Sequence, residues 1–182
     1  IILSTALAAR TIVVGKNQPI TSVRKAIELA KEKDTILVQP GVYKEGNIII
    51  NKNIILLGQN YPVLDGEKKF EILTVSGVNI TIKGFQLQNC GQSAMNDYAS
   101  IKLIDSKNVL IEDNRVINSF FGIHVSNSSF VTIRHNTVSG SPTSEQNTGN
   151  GIHLWKCDHA LIDTNYVTGH RDGIYFEFVT ES

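Results

Sequence analysis

The sequence predicts an all-β solenoid, specifically a right-handed parallel β-helix with an N-terminal capping α-helix. A first phrase, centred on an isoleucine, recurs at 79–85, 108–114, 130–136 and 159–165. A second phrase interleaves with the first, at 100–103, 122–125, 151–154 and 173–176. Repeats of 22 to 29 residues that carry two or three short β-branched strands have no room for a helix in each repeat. Each repeat is therefore predicted to form one coil, with every strand pairing with its equivalent in the next coil.

Composition restricts the class of protein. The 182 residues carry 17 basic and 17 acidic side chains, so the formal net charge is zero. Nucleic-acid binding needs a basic surface to neutralise phosphates, and this balance argues against it. No apolar run reaches the roughly 20 residues that span a bilayer. We predict one domain over residues 10–182, with no direct membrane span.

The first nine residues form an apolar run that ends in small residues. This pattern is typical of the end of a secretory signal peptide, so residues 1–9 are predicted to be its remnant. An N-terminal strand is the alternative, because the β-branched run 11–14 follows directly. The chain also stops in the middle of a repeat, which predicts a β-helix truncated at its C-terminus.

A capping helix is predicted at about 22–33, ahead of coils at about 35–182. Val23, Ala26, Ile27 and Ala30 share one helical face, which would cover the first coil. Ser22 or Thr21 is the expected N-cap, without a Glu or Gln at N3 to complete a capping box.

Aligning the repeats places equivalent residues in columns along the solenoid. Two columns are predicted to fill the core: Ile82, Ile111, Ile133 and Ile162, and Ile101, Ile123, Ile152 and Ile174. A corner column of asparagines, whose amides can hydrogen-bond from coil to coil, comprises Asn114, Asn136 and Asn165. A charged column alternates in sign, and its members are Lys83, Glu112, Arg134 and Asp163. Alternation avoids like charges on neighbouring strands, so this column is interpreted as structural.

Two insertions, at 90–98 and 141–148, fall at the same corner of the coil. Insertions in repeat proteins collect on one face, which either binds a partner or merely tolerates loops. Cys157 occupies a corner position held by Gly or Ser in other coils, and Cys90 lies at a different corner. A disulfide between them is not expected.

The outward column that suggests function comprises Lys102, His124, His153 and Tyr175. His124 and His153 lie on successive coils, about 4.8 Å apart at the backbone. Two imidazoles at that spacing could hold a soft or borderline metal, and imidazole suits copper. The alternative is a stacked pair of surface histidines beside the second insertion. Trp155 and Glu177 lie in the next outward column.

The segments 149–155 and 171–177, in that order, resemble the NosD family of nitrous oxide reductase maturation proteins. Segments 34–43 and 62–66 resemble the N-terminal half of the same family. The resemblance implies a non-enzymatic, periplasmic protein that is commonly described as copper-binding. It also implies partners: an ABC-type ATPase and permease, a copper-delivering lipoprotein, and apo nitrous oxide reductase, whose copper centre the system helps to assemble.

On this hypothesis the metal ligands are His124 and His153, with Met95 of the first insertion as a soft ligand. The predicted partner-binding residues are Trp155, Arg171, Asp172 and Tyr175, although Arg171 and Asp172 could instead pair with each other. Two other functions stay open: a carbohydrate-active lyase or hydrolase, and a metal-free structural β-helix. An enzyme of that kind needs clustered carboxylates, and the aligned columns place none on neighbouring coils.

Overall fold

The computed structural model describes residues 8–93, 96–140 and 148–182. Within these residues nineteen strands and one short helix wind into a right-handed parallel β-helix, as predicted. Three parallel sheets build the solenoid, and each coil after the first contributes one strand to each sheet, whereas the first coil contributes only one strand and the helix.

The strands of each sheet follow one another in coil order. The first sheet contains β1 (Thr11–Val14), β2 (Thr35–Val38), β5 (Ile55–Gly58), β8 (Val78–Lys83), β11 (Lys107–Glu112), β14 (Ser129–Arg134) and β17 (Leu161–Asp163). The second contains β3 (Val42–Tyr43), β6 (Val63–Asp65), β9 (Gln86–Gln88), β12 (Arg115–Ser119), β15 (Thr137–Gly140) and β18 (Tyr166–Thr168). The third contains β4 (Ile48–Ile50), β7 (Leu73–Val75), β10 (Ala99–Ile104), β13 (Phe121–Ser126), β16 (Ile152–Trp155) and β19 (Ile174–Glu177).

The solenoid begins earlier in the sequence than predicted. β1 pairs in parallel with β2, so the coils start at Thr11 and not at about residue 35. The helix α1 (Val23–Leu29) therefore lies between the first two strands of the first sheet, and it packs against β1, β2 and β4. The run 11–14 therefore forms an N-terminal strand, the feature given above as the alternative to a signal-peptide remnant. Most of residues 1–9, the predicted signal-peptide remnant, lies outside the described residues.

The helix is shorter than the predicted 22–33, because Ala30 is already extended and starts the turn into β2. Ser22 is the N-cap, and its hydroxyl accepts a hydrogen bond from the backbone N–H of Lys25. The predicted apolar face is confirmed, since all four of its residues are buried in the core.

Both predicted core columns are in register across their sheets. Their members are fully buried except at one end of the solenoid. Ile162 is only partly buried, and Ile174 is 51% exposed. Ile174 was predicted to be core, and the difference arises because β19 is the outermost described strand of its sheet.

The asparagine column forms a hydrogen-bonded ladder at the corner between the first and second sheets. The side-chain oxygen of Asn136 accepts from the backbone N–H and the amide of Asn114, at 2.9 and 3.1 Å. Asn165 receives the equivalent pair of bonds from Asn136, at 2.9 and 3.0 Å. Each amide thus satisfies the backbone of the preceding coil, which confirms the predicted structural role.

The charged column forms ion pairs between coils. Glu112 lies 2.8 Å from Lys83 on one side and 2.8 Å from Arg134 on the other. These contacts hold the pKa of Glu112 below its usual range, with the Lys83 hydrogen bond as the largest cause. These ion pairs support the structural interpretation for Lys83, Glu112 and Arg134, and Asp163 lies opposite Arg134 in the register of β14 and β17.

Candidate metal site on the third sheet

The third sheet places His124 and His153 side by side. Strands β13 and β16 pair so that His124 is opposite His153 and Val125 is opposite Leu154. The two imidazole rings are edge to face, with centroids 4.9 Å apart. Lys102 and Tyr175 continue the column in register on either side, as the repeat alignment predicted.

Aromatic rings enclose the histidine pair. Phe121, at the start of β13, lies 5.4 Å from the ring of His124 and 5.6 Å from that of His153. The ring of Tyr175 is 5.1 Å from His153 on the far side. His124 is consequently only 7% exposed. The alternative of two surface histidines is therefore wrong for His124: the column faces away from the core, but neighbouring side chains cover it.

Burial keeps both imidazoles neutral. It lowers the pKa of His124 to about 4, and the neighbouring His153 and Lys102 act in the same direction. Burial also lowers the pKa of His153, against the opposing effect of Glu177 and Asp97. A neutral imidazole has a free lone pair on one ring nitrogen, which is the state that a metal ion binds.

Several buried nitrogens of the pair have no hydrogen-bond partner among the described residues. They are Nδ1 of His124 and both ring nitrogens of His153. An unpartnered buried polar atom costs free energy that a bound ligand or ion would recover. In chemistry the pair therefore fits a metal ion that takes imidazole ligands.

The described residues supply two donors at this position and no complete coordination shell. Among residues 8–93, 96–140 and 148–182, no group of three or more His, Cys, Asp or Glu side chains could hold a metal ion. The predicted soft ligand Met95 lies outside the described residues, so its role stays a prediction.

Of the predicted partner-binding residues, the structure places Tyr175 against the pair and Trp155 nearby on the same sheet. Tyr175 contacts His153 directly, and Trp155 lies in the adjacent outward column, opposite Glu177. Arg171 Nε lies 3.1 Å from Asp172 Oδ2, so these two residues do pair with each other, and their role in partner binding stays a prediction. Arg171 also donates to Asn150 Oδ1 at 3.2 Å.

Repeat alignment missed two residues that shape this site. Phe121 precedes the recurring phrase by one residue, so no column drew attention to it. Asp97, in the first insertion, acts electrostatically on both histidines. Both insertions lie at the corner just before the third sheet, which carries the histidines. That location could have indicated that Asp97 lies near them.

The two cysteines take no part in the site. Both thiols are free and buried, as expected from their different corners. Burial raises the pKa of Cys90 to about 12, and it raises the pKa of Cys157 as well. Both thiols are therefore protonated at neutral pH in the metal-free chain.

The chain resembles two curated proteins, both named "Probable ABC transporter binding protein NosD". It is 28% identical to the one from Pseudomonas aeruginosa over 130 residues, which is 70% of this chain and 30% of that protein. It is 28% identical to the one from Stutzerimonas stutzeri over 132 residues, which is 71% of this chain and 30% of that protein. The chain therefore spans about a third of the length of these relatives.

Among solved structures, a pectin methylesterase from Aspergillus niger aligns with 98% of this chain and 87% of its own, at 12% identity and a TM-score of 0.31. No helix among the described residues has the length and apolar character needed to cross a membrane. The model of the right handed beta helix region matches residues 32–155 and 70–181. Together these matches cover most of the sequence, and the chain belongs to the right-handed β-helix family.

Proposed function

We propose that this chain is part of a non-enzymatic, periplasmic accessory protein that works with an ABC transporter. Its task on this proposal is to assist assembly of the copper centre of nitrous oxide reductase. The likeness to the two NosD proteins, which are named as binding proteins of an ABC transporter, supports a role of this kind. The ATPase and permease, a copper-delivering lipoprotein and apo nitrous oxide reductase are its proposed partners.

The observation that supports copper handling is the buried, neutral histidine pair. His124 and His153 would hold the metal through ring nitrogens that have no hydrogen-bond partner among the described residues. Copper would be cargo here, held until a partner takes it. Two protein donors are few enough for a partner's ligand to complete the coordination, and Met95 is proposed as a further soft ligand.

The surface beside the pair suits docking of a partner. Trp155 is half-buried, and the ammonium group of Lys156 lies 4.3 Å from the centre of its ring. Tyr175 is 40% exposed. Aromatic and arginine side chains are enriched at protein interfaces. We therefore propose that Trp155, Arg171, Asp172 and Tyr175 contact the partner that exchanges the metal.

A titration of copper(I) under anaerobic, reducing conditions tests the proposal. The original chain is compared with a His124→Ala/His153→Ala variant and with a His159→Ala control. His159 suits the control because it stacks on Phe130, outside the histidine column. We expect tight binding by the original chain and by the control, and loss of binding in the double variant.

Equal binding by all three proteins would exclude the histidine pair as the copper site. Circular dichroism of the double variant checks that it retains β structure. If the original chain binds no copper, the proposed copper handling by this face is wrong, and the family relationship is unaffected.

A further inference from the structure

Glu177 is the one described carboxylate within 4.0 Å of the histidine pair, through Oε2 and the Nε2 atom of His153. We propose that Glu177 is a positioning residue: its carboxylate accepts the Nε2 proton of His153, so that Nδ1 carries the lone pair offered to a ligand. This inference rests on the proposed function, because it concerns how the same pair is prepared for a metal ion.

The tautomer of a neutral histidine depends on the partner of its protonated nitrogen. In metal sites the second ring nitrogen almost always donates to a carboxylate, a carbonyl or water, which fixes the tautomer and the ring orientation. Without such a partner His153 would exchange between two tautomers, and only one of them would present a given nitrogen to the metal.

Strand pairing holds Glu177 in the required place. In the register of β16 and β19, Tyr175 is opposite His153 and Glu177 is opposite Trp155. The side chain of Glu177 is 41% exposed and that of His153 is 13% exposed. A separation of 4.0 Å is too long for a direct hydrogen bond. A change of rotamer of this accessible carboxylate, or one bridging water molecule, would close the gap.

The other charged groups near His153 are less suited to this role. Asp97, Asp172 and Arg171 all act on His153 electrostatically. The carboxylate of Asp172 is engaged by Arg171 at 3.1 Å, and Asp97 is exposed on the insertion. Three carboxylates against one guanidinium nevertheless make the surroundings of His153 net negative, which favours a cation beside a neutral imidazole.

The first test uses the metal-free protein. Nitrogen-15 NMR of labelled chain at pH 7.5 reports which ring nitrogen of His153 carries the proton. We expect protonated Nε2 in the original chain and in Glu177→Gln, because the Gln side-chain oxygen also accepts. In Glu177→Ala we expect a mixture of tautomers. Glu181→Ala is the matched control, since Glu181 lies 2.7 Å from Nε2 of another histidine, His159.

Protonated Nδ1 in the original chain, or an unchanged tautomer in Glu177→Ala, would overturn the positioning role. Copper(I) titration of the same proteins then tests the consequence. Loss of a partner in the outer shell weakens metal binding about 10- to 100-fold, so Glu177→Ala should fall in that range. Glu177→Gln should lose less, because it keeps the acceptor and removes only the charge, and Glu181→Ala should match the original.

Unchanged copper affinity in Glu177→Ala, with the original chain binding copper, would reject the inference and leave the proposed site intact. A tautomer that depends on Glu177 in a chain that binds no copper would reject the proposed copper handling and retain the positioning contact.

Discussion

Glu45 and Lys52, seven positions apart in one coil, hold opposite ends of helix α1. The Glu45 carboxylate accepts from the backbone N–H groups of Val23 and Arg24, at 2.8 and 2.9 Å. Lys52 Nζ donates to the carbonyls of Ile27, Glu28 and Ala30, each at 2.9 Å. The first N–H groups and the last carbonyls of a helix have no partner within the helix. The negative charge of Glu45 at the N-terminus and the positive charge of Lys52 at the C-terminus also interact favourably with the helix dipole. A helix of seven residues, too short to be stable alone, is thereby fixed over the first coils.

Because Glu45 and Lys52 together fix the two ends of α1 (the helix clamp), substitution of either residue is predicted to lower stability. Glu45→Ala should lower the free energy of unfolding by about 1–2 kcal/mol, and Lys52→Ala by about 1 kcal/mol. Urea unfolding followed by circular dichroism measures both values. Glu28→Ala is the control, because the Glu28 carboxylate pairs with exposed Lys25 on the helix surface and the backbone carbonyl that Lys52 contacts is kept. This substitution should cost less than about 0.5 kcal/mol. Equal effects of all three substitutions would contradict the clamp.

The asparagine ladder predicts that Asn136 is needed for stability. Asn136→Ala removes hydrogen bonds on both sides of a side chain that is 1% exposed, and it leaves the backbone N–H of Asn114 buried without that acceptor. We expect a loss of roughly 2–4 kcal/mol in urea unfolding.

Asn108→Gly is the control that tests whether an exposed asparagine contact between coils contributes as much free energy as the buried one. Asn108 donates to Asn79 on the surface, and its φ of 54° is one that Gly adopts freely. Asn108→Gly should therefore lower the free energy of unfolding by less than about 1 kcal/mol. Similar losses at positions 108 and 136 would show that burial does not determine the contribution.

Gly122, Gly151 and Gly173 occupy equivalent positions in successive coils, but the space beside them differs. A Cβ on Gly122 would collide with the carbonyl oxygen of Gly151 and with Val138, whereas a Cβ on Gly173 would meet nothing within 4 Å. Gly122→Ala should therefore lower the free energy of unfolding by about 1–3 kcal/mol, and with it the melting temperature. Gly173→Ala should leave both nearly unchanged. Thermal melts compare them directly, and a stable Gly122→Ala protein would mean that the coils can separate at low cost.

The buried histidines predict a dependence of stability on pH. Burial lowers the pKa of His124 in the folded chain to about 4, below its ordinary value of 6.5. The unfolded chain therefore binds a proton at a pH where the folded chain does not. The stabilisation is complete above pH 6.5 and is lost as pH falls from about 6.5 to about 4, by about 3 kcal/mol at most.

Urea unfolding of metal-free protein between pH 7.5 and 4 measures this loss. The lowered pKa of His153 acts in the same direction. His124→Leu should flatten the slope in this range, and His159→Ala should preserve it. A slope that persists in His124→Leu would assign the effect to other groups. Hydrogen bonding from Lys31 is the largest cause that lowers the pKa of Asp34 to about 2, so Asp34 adds to the loss only near pH 4, where its carboxyl in the unfolded chain begins to bind protons.

The cysteines predict slow chemical modification. Cys90 and Cys157 are 5% and 4% exposed, and burial raises the pKa of both thiols. Iodoacetamide at pH 8 should leave the native chain unmodified and should alkylate both cysteines in urea, as measured by mass spectrometry. Rapid modification of the native chain would show that the coil opens at the corner between the second and third sheets, for Cys90, or between the third and first sheets, for Cys157.

The spacing of the repeats was enough to predict the β-helix, the core columns, the asparagine ladder and the alternating charges. Parallel strands with a fixed register place equivalent residues of successive coils directly above one another, so a column can be read from the amino-acid sequence. The pairing of His124 with His153 follows from the same rule, and the structure confirms the register of the two residues.

Only the tertiary structure decided what surrounds each column. Thr11–Val14 joins the first sheet as β1 although it belongs to no repeat, and Glu45 and Lys52 reach α1 from more than twenty residues away. The burial of His124 depends on Phe121, which lies at the start of β13, just ahead of the recurring phrase, and has no periodic signal. Periodicity determines which residues stack along the axis. Contacts around the coil depend on how each corner closes, and that depends on distant residues packing together.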